Sequence, residues 1–132
     1  MNVTPGSLES YYKGVEATRK FIQEQPNISA EEKQDIVTFS YGHMGDGDIH
    51  INVAFPGYDN HDLLKRLNAS VWPFVMNFVK SSKGSIGAEH GMGVVNPQYL
   101  NFTKSNEMVD VMKMIKTGID PNGIMNPYKV FP

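Results

Sequence analysis

Between residues 36 and 55 the chain carries two runs rich in β-branched and aromatic residues, separated only by Gly42-His43-Met44-Gly45-Asp46-Gly47-Asp48. The first run is Ile36-Val37-Thr38-Phe39-Ser40-Tyr41. In the second, Ile49, Ile51, Val53 and Phe55 alternate with His50, Asn52 and Ala54. Such runs favour strands, and strict alternation gives the second strand two chemically different faces. The glycines and aspartates between them tolerate the positive φ of a tight reversal. A β-hairpin is the economical reading, and it obliges the rest of the chain to cover one face of a sheet.

Helical periodicity supplies that cover. Leu8, Tyr11, Tyr12, Val15 and Ile22 predict a first helix, with Ser7 as its N-cap after Pro5-Gly6. Gln25 to Ser29 breaks it, and Glu31 to Gln34 reads as a polar lead-in to the first strand. Leu63, Leu64, Leu67, Val71, Phe74, Val75 and Phe78 form one stripe of a longer helix capped by Asp59 or Asn60, which Pro73 is expected to kink or split. Ser85-Ile86-Gly87-Ala88 reads as a short strand or extended stretch. Met108, Val109, Met112, Ile115 and Ile119 predict a last helix that stops at Gly118 to Pro121. The aromatic and methionine residues on these stripes, Tyr11, Tyr12, Phe74, Phe78, Met108 and Met112, are expected in the core. The order predicts an α+β fold: a small antiparallel sheet with helices packed on one face, followed by a helical C-terminal tail. Two or three strands make a thin sheet, so further strands are expected upstream of Met1.

Composition removes several functions. The chain has 132 residues, a net charge of −2 and no clustered Lys/Arg run, which argues against nucleic acid or an anionic membrane as the main partner. It has no cysteine, which excludes disulfides, thiolate metal ligands and a Cys nucleophile. No apolar run reaches the roughly 18 residues of a membrane span.

The chemistry concentrates in two glycine-rich segments, which hold three of the four histidines. His43 ends the first strand and His50 lies on the second, where residues across a hairpin can approach within about 5 Å at Cβ. Glu89 and His90 add a carboxylate and an imidazole from the second segment. Two histidines and a carboxylate suit Zn²⁺, Mn²⁺ or Fe²⁺ with positions open for substrate. Spacing alone does not decide the matter, because a separation of seven is no ligand signature and the glycines also serve as turn residues. The order Gly42 to Gly47 is not a dinucleotide turn, Asp46-Gly47-Asp48 lacks the rest of an EF-hand loop, and no nucleophile elbow is present. His61, among Asp59, Asn60 and Asp62 at a helix start, is expected to face solvent.

Together the motifs resemble a known family. The segment from Gly42 to Val53 resembles the GHxGDGNxHxNV signature of the C-terminal domain of FAD-linked oxidases of the vanillyl-alcohol-oxidase type. Gly84-Ser85-Ile86-Gly87-Ala88-Glu89-His90-Gly91-Met92-Gly93 resembles that family's GSxSAEHGxG, and the stretch from Asp120 to Lys129 resembles its closing DPxGILNPxK. The closest resemblance is to the D-2-hydroxyglutarate and D-lactate dehydrogenase branch. Asp48 stands where the family usually has asparagine, adding a negative charge near the loop. Gly87 stands for a common serine, loosening the segment before Glu89.

The resemblance implies that residues 1–132 are the substrate and metal domain of a larger flavoprotein. Residues 1–95 would form part of a ferredoxin-like cap, and residues 96–132 a helical tail returning to an FAD-binding domain not contained in this chain. It implies FAD in the full-length enzyme and a divalent metal, zinc above all, on His43, His50 and Glu89. His90 is then the catalytic base, Asn52 lies on the substrate side, and Asn126 is the implied cofactor contact. The implied partners are the upstream FAD domain and a small D-2-hydroxy acid, in a mitochondrial or cytoplasmic enzyme. The chain alone is expected to be catalytically silent, and its exposed flavin-domain face to favour self-association. Two other classes stand beside this reading: a small His2Glu metal hydrolase, and a non-catalytic module of the kind some relatives are named for, as actin-interacting proteins.

Overall fold

The computed structural model describes residues 2–3, 8–43, 45–57, 59–87, 89–94 and 96–131. A strand β1 (Asn2–Val3) precedes helices α1 (Leu8–Glu24) and α2 (Ala30–Asp35), then the hairpin strands β2 (Val37–His43) and β3 (Asp48–Ala54). Helix α3 (His61–Ser81) follows, then a 3-10 turn (Pro97–Tyr99), α4 (Leu100–Thr103) and α5 (Asn106–Ile119). The Ser7 cap lies outside the described residues, as do the side chains of Leu8 and Tyr11.

The expected α+β architecture is present, and the hairpin forms as expected. β1 adds to the other edge of β3, giving an antiparallel sheet of order β1-β3-β2 among the described residues. The pairing Tyr41 with His50, Phe39 with Asn52 and His43 with Asp48 sets those six residues on one face. Thr38, Ser40, Ile51 and Val53 alternate onto the other face, where Thr38 and Ile51 are buried.

The helices cover that second face. Ile51 joins Ile22, Ile28, Leu63, Leu67, Val71, Val75, Met76, Val79 and Ile86 in one core, with Phe21 stacked on Phe74 at 4.1 Å beside it. Burying each such aliphatic side chain stabilises by roughly 1.5–3 kcal/mol. Gly14 permits α1 to approach α3, since a Cβ there would stand 2.8 Å from a ring carbon of Phe78. Arg19 Nη2 donates to the Thr38 carbonyl at 3.2 Å, linking α1 to β2.

Four local expectations need correction. The stretch from Glu31 to Gln34 is helical, because Ser29 and Glu32 form a capping box that starts α2. α3 runs through Pro73 as one helix, so of the two expected effects the split does not occur, while Asn60, one of the two expected caps, accepts from Leu63 N. Around Ser85 the described residues show a single bridge, which removes the strand but not the extended stretch given beside it, and Ile86, 1% exposed, pins this segment to the core. The apolar stripe of α5 buries only Val109; Met108, Ile115 and Ile119 are exposed, and so is Tyr12 on α1. Sequence periodicity marks the side of a helix that gains from burial. It does not say whether this chain provides the cover.

The segment after α5 is organised by Asp120, a buried carboxylate. It accepts from the backbone N–H groups of Ile124 and Met125, both at 3.0 Å, and pairs with Lys116 Nζ at 2.5 Å. Lys116 also donates to the Met125 carbonyl at 2.6 Å, and Val130 N reaches back to the Gly93 carbonyl at 2.8 Å.

Candidate metal centre

The hairpin places His43 at the end of β2 and His50 in the central strand β3, both on the face that the helices leave uncovered. The second contribution comes from a tight turn. The Gly87 carbonyl accepts from His90 N at 3.1 Å and from Gly91 N at 2.7 Å, and Gly91 takes φ 69°, a conformation costly for any residue with a Cβ. With Ile86 anchored beneath, this turn holds Glu89 and His90 side by side over the hairpin.

Glu89 is the meeting point. His50 Nε2 lies 3.0 Å from its Oε1 and His43 Nε2 lies 3.1 Å from its Oε2. His90 Nε2 lies 3.4 Å from Oε1, and the His90 ring meets the His50 ring edge-on at 5.6 Å between centroids. One donor atom from each of His50, Glu89 and His90 falls within 4.8 Å of the others. The His50 side chain is 18% exposed, against 62% for His43 and 66% for His90, so one imidazole is sheltered and two face solvent.

This donor set fits a divalent cation. Zn–N and Zn–O bonds near 2.0–2.2 Å put neighbouring tetrahedral donors about 3.3 Å apart, close to the 3.0 and 3.4 Å that separate Glu89 Oε1 from His50 Nε2 and His90 Nε2. The same distances suit imidazole–carboxylate hydrogen bonds, with the donor role set by the tautomer. The arrangement can therefore hold a cation, or hold a proton between carboxylate and imidazole.

His43, His50 and His90 each contact Glu89, but among the described residues the compact three-residue group is His50, Glu89 and His90; His43, expected as a ligand, meets the other carboxylate oxygen and lies outside that group. Asn52 is half-buried two residues along β3, and its Nδ2 makes a long 3.4 Å hydrogen bond to the His50 carbonyl. Asn126 is elsewhere: it adopts φ 49° and lines a cavity of about 470 Å³ with Met112, Ile115, Ile119 and Phe131. The cavity of about 130 Å³ between β3 and α3 contains no histidine. His61 is exposed, as expected. Asp48 is the register partner of His43, which sets its extra charge at the mouth of the hairpin. A Cβ on Gly87 would find ordinary contacts at 3.4 Å and beyond, so serine would fit there.

Tyr41, unmarked by the motifs, also borders the cluster. Its ring stacks on His50 at 4.9 Å with an interplanar angle of 20°, and the register of the hairpin was the signal that could have found it.

The family described as FAD linked oxidases, C-terminal domain, matches residues 7–130. A protein of Schizosaccharomyces pombe assigned as a mitochondrial D-lactate dehydrogenase is 44% identical over 95 residues, covering 72% of this chain and 17% of the relative. The mitochondrial D-2-hydroxyglutarate dehydrogenase of Danio rerio is 45% identical over 92 residues, covering 70% of this chain and 16% of the relative. The D-2-hydroxyglutarate dehydrogenase of Stutzerimonas stutzeri is 34% identical over 131 residues, covering 99% of this chain and 26% of the relative. The chain therefore spans between about a sixth and a quarter of the length of these relatives.

Proposed function

Because the chain belongs to the family of FAD-linked oxidase C-terminal domains, we propose that it forms the metal- and substrate-handling part of an FAD-dependent D-2-hydroxy-acid dehydrogenase, of D-2-hydroxyglutarate or D-lactate type. The observation that carries this reading is the Glu89 carboxylate held between His43 and His50, with His90 beside it. The names of the relatives favour it over a metal hydrolase or an actin-binding module.

Oxidation of a 2-hydroxy acid removes the hydroxyl proton and transfers the C2 hydrogen with its electron pair. FAD, carried by an upstream domain of the same enzyme, supplies the two-electron acceptor. A divalent cation, zinc in this reading, supplies Lewis acidity toward the substrate's hydroxyl and carboxylate oxygens. His43, His50 and Glu89 would hold the cation on the open sheet face. His90 receives the hydroxyl proton at Nε2, a contribution on the order of 10²–10⁴-fold. The Asn52 amide, beside His50 on β3, orients the substrate.

Residues 1–95 belong to the cap, and the tail over 96–132 docks on the FAD domain, where Asn126 approaches the cofactor. The exposed Ile119, Ile124, Met125 and Tyr128 support a docking role for the tail. Several relatives are named mitochondrial, which favours that compartment over the cytoplasm. No described helix is long and apolar enough to cross a membrane.

The test uses the full-length enzyme. His90→Ala should cut turnover of D-2-hydroxy acids while leaving metal content intact, and His43→Ala should lose both. Full turnover in His90→Ala would end the base assignment. Robust turnover by this chain alone with added FAD would end the division of labour between domains.

A further inference from the structure

The open sheet face carries Val37, Phe39 and Tyr41, which are 56%, 45% and 58% exposed and pack into no core. Tyr41 is nevertheless not loosely placed. It is the register partner of His50, and the two rings lie nearly parallel at 4.9 Å. Phe39 continues the line, with its ring 6.5 Å from Tyr41 at 24°.

His50 is the most sheltered of the three clustered imidazoles and the one on the central strand. Its backbone is fixed by pairing on both sides, so what remains to be set is the ring's rotation about χ1 and χ2. A ring stacked on one face restricts both torsions and leaves Nε2 directed at Glu89 Oε1. Among the described residues, neither His43 nor His90 has such a stacked partner.

We propose that Tyr41 is a positioning residue for the cation site: it touches neither cation nor substrate, and it fixes the His50 imidazole by stacking. This rests on the reading of the cluster as a cation site. Stacking needs the ring and not the hydroxyl, so phenylalanine should serve as well as tyrosine. Without the ring, His50 must be ordered by the cation itself, which should weaken binding roughly three- to tenfold.

Zn²⁺ affinity of this chain, measured by competition with a chromophoric chelator, tests the proposal. Tyr41→Phe should match the unsubstituted chain, and Tyr41→Leu should bind three- to tenfold more weakly. Equal affinity in Tyr41→Leu would overturn the proposal, and so would a loss in Tyr41→Phe equal to that in Tyr41→Leu. Proton cross-relaxation between the Tyr41 and His50 rings in the unsubstituted, metal-free chain gives a reading free of folding effects. The cross-peaks are expected, and their absence would overturn the proposal. His50→Ala separates the two levels: if it leaves Zn²⁺ affinity unchanged, the cation site itself is wrong, whatever Tyr41 does.

Discussion

Arg66 Nη2, on α3, lies 2.6 Å from Oε1 of Glu32 on α2, and both side chains are about one-quarter exposed. The same guanidinium reaches Asp62 at 2.8 Å and the Asn27 carbonyl at 2.5 Å. Helix α2 has no buried residue of its own, so this clamp and the capping box, with Ile28 buried just before it, hold it in place.

The clamp makes stability depend on pH. Hydrogen bonding to Arg66, then to the Ser29 backbone, holds the Glu32 carboxyl at about 2 instead of the ordinary 4.5. A depressed carboxyl stabilises the fold fully above its ordinary range, and the contribution disappears as pH falls from 4.5 through 2. Denaturant midpoints measured across that window should fall for the unsubstituted chain. Glu32→Gln keeps the capping box but loses the ion pair, so its midpoint should be lower at neutral pH and fall less steeply on acidification.

Glu89→Gln removes the charge at the centre of the cluster and keeps the side chain's shape. Zn²⁺ binding followed by calorimetry should weaken at least about tenfold, with little change in metal-free stability. Unaltered affinity would remove Glu89 from the ligand set.

Asp120→Ala should release the chain after α5. Amide exchange at Ile124 and Met125, whose N–H groups donate to this carboxylate, should accelerate roughly tenfold or more. Amides of α3 should exchange as before, because their bonds lie within another element.

Gly87→Ala should stabilise the chain by about 0.4–1 kcal/mol, by reducing the freedom of the unfolded state. The position does not use a positive φ, and its Cβ would meet Gly91 at no less than 3.4 Å. Urea denaturation checks the sign. Gly91→Ala, at φ 69°, should do the opposite, costing on the order of 1–2 kcal/mol.

Exposed Val111, Met114, Ile115 and Ile119 give α5 an apolar surface that favours association when the chain is alone. Sedimentation should show concentration-dependent association that Ile115→Lys reduces.

The hairpin, with His43 and His50 on one of its faces, could be read from residue order, because alternation fixes faces; that Glu89 and His90 meet them came only from the family resemblance, since spacing alone does not decide it. Helix α2 was also readable, since Ser29 and Glu32 stand at capping-box spacing, but its few polar residues hid it. The role of Asp120 was not readable: a carboxylate after a helix looks like a surface charge until the chain folds back over it. Nor could periodicity tell the covered stripe of α3 from the uncovered stripe of α5. Both show the same pattern, and only the packed chain shows that Leu67 meets a sheet while Ile115 meets solvent.

His43 ends β2 beside the hairpin loop and is largely open to solvent, whereas His50 is held in the middle of the sheet. An arriving ion should therefore be caught first by the fixed His50–Glu89 pair and be enclosed last by His43. Departure should run in reverse, with the exposed His43 the first to let go. His43→Ala would then speed zinc loss to a chelator more than it slows zinc capture, a kinetic asymmetry that stopped-flow mixing can measure.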